Sequence, residues 1–127
     1  PKGIADMNNL IEGLQKEGKT ICLSTHILKD VERLCDSVTV LKKGHLILNS
    51  SINDLMSKSK SINISSTKIP QLEEYLIHNI KSKIIQSSNK SLILKSNISI
   101  QEITAKIPKD IPIISISRDS GLTELFL

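Results

Sequence analysis

A chain of 127 residues suffices for one ordinary domain or two small ones, and 39% apolar with 24% charged residues excludes a disordered polymer. Aromatic residues make up only 2%, so Tyr75 and Phe126 are the only ring faces available, and a stacking platform for single-stranded nucleic acid is excluded. The net charge of +4 resides in the second part, where twelve Lys/Arg face seven Asp/Glu from Lys42 onward, against five and six before it; with no dense basic run, this reads as a solvated surface.

The first predicted element is a helix. Pro1 suits a first helical position, Ile4, Met7, Ile11 and Leu14 repeat at three and four residues, and Gly18 is the stop. The apolar run Thr20–Ser24 is of buried-strand type. After His26 a second helix turns Leu28, Val31 and Leu34/Cys35 inward, and Ser37–Leu41 reads as a strand. Lys42-Lys43-Gly44 is a turn from which Leu46–Leu48 pairs back, and Ser51 with Asp54 forms a capping box for a short helix through Met56. Cys22 and Cys35 lie in apolar stretches and are expected to be buried free thiols, which suits a reducing compartment; their spacing matches no metal site.

Ser57–Lys60 is polar, lacks periodicity and reads as a linker. Beyond it the texture changes. Ser61–Ser65 alternates as a half-buried strand, and Pro70 opens a helix with Leu72, Tyr75/Leu76 and Ile80 inward. Ile84-Ile85 and Leu92–Leu94 flank Ser88-Asn89-Lys90 as a hairpin. Ile100, Ile103 and Ile107 form a helical stripe stopped before Pro108, Ile113–Ser117 is a last strand, and Leu122, Leu125 and Phe126 make a terminal helical turn. The order β-α-β-β-α-β predicts an α+β ferredoxin-like sandwich over residues 58–127. No apolar run approaches the roughly 18 residues of a membrane span, and no signal peptide is expected.

Gly13–Thr20 satisfies the phosphate-loop pattern G-x-x-x-x-G-K-[ST]. Such a loop needs a strand entering and a helix leaving, so that backbone N–H groups and a helix N-terminus converge on phosphate. Here a helical pattern enters, so Gly18 is expected to end a helix rather than cradle an anion.

Residues 18–44 read G-K-T-I-C-L-S-T-H-I-L-K-D-V-E-R-L-C-D-S-V-T-V-L-K-K-G. This string resembles the switch-histidine region of ABC transporter ATPases. The family has a buried strand ending in Ser-x-His, a helix bearing Glu, a Cys-Asp or similar pair, an apolar strand, and Gly in a hairpin. Those positions are Ser24-Thr25-His26, Glu32, Cys35-Asp36, Val38–Leu41 and Gly44. The resemblance runs through Leu55, with Ser50 standing where the family often has Gly. The closing segment Ser120–Leu127 resembles the last residues of exporter ATPases from drug and bacteriocin self-protection systems.

The resemblance implies an α/β remnant of a P-loop nucleotide-binding domain over residues 1–57 and an accessory domain over 58–127. It implies ATP and Mg as cofactors of the intact protein, a second copy of the subunit and a membrane permease as partners, and a cytoplasmic, peripheral location. Pro1 falls where the family has the proline after its D-loop aspartate, so the phosphate loop, glutamine loop, signature motif and catalytic glutamate are expected upstream, and the chain alone is expected to be inactive. His26 is the expected catalytic and nucleotide-contacting residue: an imidazole N–H just past a strand's carboxyl end can hydrogen-bond the γ-phosphate and the attacking water. A lone His more often merely begins a helix; the surrounding string is what singles out His26. His45 and His78 read as surface or edge residues, and Glu32 and Asp36 as decoration of a solvated helix end. No metal ligands are assigned. The alternative function is a non-enzymatic module that dimerises or binds a regulator, with self-association of the chain. A nucleic-acid-binding relative without a permease is disfavoured by having Arg33 and Arg118 as the only arginines.

Overall fold

The opening amphipathic segment is helical over Lys2–Lys16 (α1) in the computed structural model, which describes residues 2–127. Pro1, read as a first helical position and as the neighbour of a D-loop, lies outside the described residues. The helix ends at a Schellman motif. Gly18 adopts φ 86°, its N–H donates to the Gln15 carbonyl at 3.0 Å, and the Lys19 N–H reaches Leu14 at 3.1 Å. Only glycine enters this left-handed region without Cβ strain.

The chain divides into two compact units, the first ending at Asp54 and the second beginning at Leu55. In the first, a helix at Leu28–Leu34 (α2) buries Val31 and Leu34, and strands Ser37–Lys42 (β1) and His45–Ser51 (β2) form an antiparallel hairpin. The hairpin turn has φ 51° at Lys43 and 79° at Gly44, the two positive values that a primed two-residue turn demands. Ser50, where the resemblance looks for a glycine, pairs with Val38 inside the ladder. A helix follows at Ile52–Lys58 (α3), two residues longer than expected, and the Ser51 Oγ accepts the Asp54 N–H at 3.0 Å as the capping pattern predicts.

The expected strand at Thr20–Ser24 and the expected burial of Cys22 both fail in this unit. Thr20–Ser24 is not a strand: residues 19–25 carry no regular structure, and Cys22 is exposed rather than buried. An isolated strand leaves its N–H and C=O groups unpaired, and among the described residues β1 and β2 pair only with each other. The apolar stripe of α1 is also largely uncovered: Ile4 is 45% exposed and Met7 63%, while Ile11 and Leu14 are half-buried. The sheet of the first unit is therefore antiparallel, and no parallel pair of the expected α/β remnant forms among the described residues.

The second unit follows the predicted order. Strand Ser61–Ser66 (β3) leads to helix Ile69–Asn79 (α4), hairpin strands Lys83–Ser87 (β4) and Ser91–Lys95 (β5), helix Ile100–Lys106 (α5), strand Ile113–Arg118 (β6) and a 3-10 turn at Leu122–Phe126. The sheet order is β4-β5-β3-β6, with every neighbouring pair antiparallel. Alternation puts Ile62, Ile64, Leu92 and Leu94 on one face, where they bury against Leu72 and Leu76 of α4 and Ile103 of α5. Ser99 caps α5 by accepting the Glu102 N–H at 3.2 Å, and the Tyr75 hydroxyl donates to the Lys106 carbonyl at 2.6 Å, tying the helices together. Leu122 of the terminal turn is buried, whereas Phe126 is 53% exposed.

Candidate functional site

The segment from Lys19 to Ile27 runs between two helices that hold each other. Asn8 Nδ2 donates to Asp30 Oδ1 at 3.3 Å, Gln15 Nε2 donates to the Leu34 carbonyl, and Arg33 pairs with Glu12 at 3.6 Å. The ion pair is solvent-exposed and contributes little; the side-chain amides of Asn8 and Gln15 tie α1 to α2. His26 lies at the end of this segment, two residues before α2, and is exposed. The Ile27 N–H donates to Thr25 Oγ1 at 3.1 Å, a local turn that sets the backbone on either side of the imidazole.

An exposed imidazole beside the Ser24 and Thr25 hydroxyls can offer one hydrogen-bond donor to an anion. That donor set fits a single contact to a phosphate oxygen. It does not suffice to hold a nucleotide, and among the described residues no group of three or more His, Cys, Asp or Glu could hold a metal ion. His45 and His78 are exposed on β2 and α4, and Asp36 is exposed, with its carbonyl accepting the Ile52 N–H at 2.9 Å. Glu32 is half-buried on α2.

The phosphate-loop look-alike has the opposite polarity from a binding loop. Gly13 is inside α1, and Gly18 follows the helix C-terminus, where carbonyls and the negative end of the dipole face outward. Lys19 follows that terminus instead of opening a helix, so the pattern has no anion-binding geometry.

The Cys35 thiol is pushed above its usual pKa, first by burial and then by the nearby Asp36 and Cys22. A raised pKa leaves less thiolate at neutral pH, and the thiolate is the nucleophile. Exposed Cys22 is therefore expected to react with iodoacetamide well before Cys35 at neutral pH, the gap narrowing as pH rises; peptide mass mapping over time reads both sites.

One cluster escaped the sequence reading. Lys60, Lys81, Lys83 and Lys95 line one cavity of the second unit, although they come from three separate chain segments. Their only local trace is the Lys81-Ser82-Lys83 spacing, which by itself marks an exposed strand start.

No protein-family model matches the chain. Among curated relatives, an uncharacterised ABC transporter ATP-binding protein of Methanocaldococcus jannaschii is 48% identical over 52 residues, 41% of this chain and 20% of that protein. A second, from Nostoc, is 33% identical over 64 residues, 50% of this chain and 19% of the relative. The energy-coupling factor transporter ATP-binding protein EcfA2 of Clostridium perfringens is 31% identical over 84 residues, 65% of this chain and 29% of its own length. The chain thus spans between about a fifth and three tenths of the length of these relatives. A match over 65% of the chain is longer than the first unit, so it runs into the second.

Proposed function

We propose that this chain, whose curated relatives are ABC transporter ATP-binding proteins, is part of the ATP-binding subunit of such a transporter. Residues 1–57 form the switch-histidine part of a nucleotide-binding domain, and residues 58–127 form a ferredoxin-like accessory domain. The observation that carries this reading is the unbroken string from Ser24-Thr25-His26 to Gly44, in a chain 48% identical over 52 residues to an ABC transporter ATP-binding protein. The antiparallel order β4-β5-β3-β6 in a β-α-β-β-α-β chain supports the ferredoxin-like assignment.

In this reading ATP, with Mg, supplies the phosphoanhydride whose cleavage drives transport. The His26 N–H would donate a hydrogen bond to a terminal-phosphate oxygen, beside the attacking water, and so stabilise charge that grows in the transition state. The same contact reports whether the terminal phosphate is present, which couples hydrolysis to movement of the subunit. The donor set of these residues is too small to bind nucleotide alone, so a second copy and the remaining motifs of the domain complete the site, and the isolated 127 residues do not turn over ATP. The partners are that second copy and a membrane permease, and the subunit is peripheral on the cytoplasmic face. Among the described residues no helix is long and apolar enough to cross a membrane. Export is the favoured direction, on the resemblance of Ser120–Leu127 to exporter ATPases.

The test is ATP turnover by the whole polypeptide that carries these residues. It is expected to hydrolyse Mg-ATP, faster in vesicles containing its permease. A purified, folded polypeptide that binds no nucleotide would overturn the reading.

A further inference from the structure

One end of the second unit's sheet concentrates positive charge around a hollow. β4 and β5 are in register so that Lys83 stands directly opposite Lys95, and Lys95 in turn faces Ser61 of β3. Lys60 immediately precedes Ser61, and Lys81 precedes β4 by two residues. All four lysines line one cavity of about 460 Å³. Like charges directly opposite in an antiparallel pair are destabilising, so this arrangement has a cost. One carboxylate is near: Glu124 Oε2 lies 3.2 Å from Lys95 Nζ. Among the described residues, Lys60, Lys81 and Lys83 have no carboxylate within ion-pairing range.

The walls are held in place by a buried serine. Ser96 is 7% exposed. Its N–H donates to the Lys60 carbonyl at 3.0 Å, its Oγ donates to the Lys81 carbonyl at 3.0 Å, and it accepts the Ile98 N–H at 3.2 Å. One residue, through its backbone N–H and its hydroxyl, therefore joins the three segments that carry the lysines. Ser82 and Asn97 add polar groups to the lining, and Ile98 adds an apolar wall. Small-molecule sites run from about 300 to 1,000 Å³, mixing apolar walls with a few converging polar groups. Several ammonium groups around a concave surface focus a positive potential and match the multiple acceptor oxygens of a phosphate.

We propose that this cavity binds the phosphate group of a small phosphorylated ligand. The site lies wholly in the second unit and does not involve His26.

The test titrates the 127-residue chain with sodium pyrophosphate at low salt, reading backbone amide shifts by ¹⁵N NMR. A parallel arm measures cosedimentation with phosphatidic acid vesicles, using neutral vesicles as reference. Lys81→Gln/Lys83→Gln is compared with Lys90→Gln/Lys109→Gln, which removes the same charge near the far, Ser66 end of β3. Saturable shifts confined to Lys60, Lys81–Lys83 and Lys95–Ile98 are expected. Affinity should fall roughly tenfold or more in the first variant and hold in the second, with both folding as the parent does. Saturable pyrophosphate binding identifies a soluble ligand; vesicle binding alone, lost in the first variant only, identifies a lipid headgroup. Either supports the site. Equal losses in both variants, shifts scattered over the surface, or binding in neither arm would overturn it.

Discussion

On the proposed function, replacing His26 by alanine in the whole polypeptide that carries these residues should lower ATP turnover by about 10²–10³-fold while ATP binding is retained, the magnitude associated with losing one preorganised donor to a developing charge. The split between the two readouts follows from where the residue acts. A donor engaged with the terminal phosphate and water contributes most when charge accumulates there, so its loss raises the barrier more than it weakens the ground-state complex. His26 is exposed and belongs to neither core, so the substitution removes no buried packing and the melting temperature should not move. Single-turnover hydrolysis measured beside equilibrium nucleotide binding distinguishes the cases. Undiminished hydrolysis would remove His26 from the chemistry, and a parallel collapse of binding would make it a ground-state contact instead.

Leu94→Ala should destabilise the second unit by about 2–5 kcal/mol, a large share of the stability of a small domain. Leu94 is fully buried in β5, opposite Ile62 on one side and Ile84 on the other, and it packs in the cluster shared with α4 and α5. Truncation removes transfer free energy and leaves a cavity that flanking strands, held by two ladders, cannot close. Ile77→Ala on the outer face of α4, at a residue 60% exposed, should change stability by no more than about 0.5 kcal/mol. Urea unfolding of the two variants reads both, and equal effects would mean that the core is not where the alternation puts it.

The cavity lysines illustrate how much of a site sequence spacing can conceal. Lys60, Lys81 and Lys95 are far apart in the chain, and their convergence depends on β4 and β5 pairing with Lys83 opposite Lys95. Register depends on pairing partners and on bulges, such as the shift between Ile84 and Gln86, that local pattern does not announce. His26 is the reverse case. A long string of surrounding residues singles it out as a candidate in the sequence, whereas its exposure at the end of an irregular segment was not legible there.

Sequence by itself determined what depends on a few neighbouring residues: Gly18 as a helix stop, Lys43-Gly44 as a hairpin turn, Ser51 as a cap, and the β-α-β-β-α-β order of the second unit. These are decided by φ preference, by side chains reaching nearby N–H groups, and by the periodicity of apolar residues. Tertiary structure alone decided the rest. Ile21-Cys22-Leu23 has the composition of a strand yet stays irregular, because β structure exists only where a second strand accepts its hydrogen bonds. The same dependence on distant partners put β3 between β5 and β6, and so gathered the four lysines around one cavity.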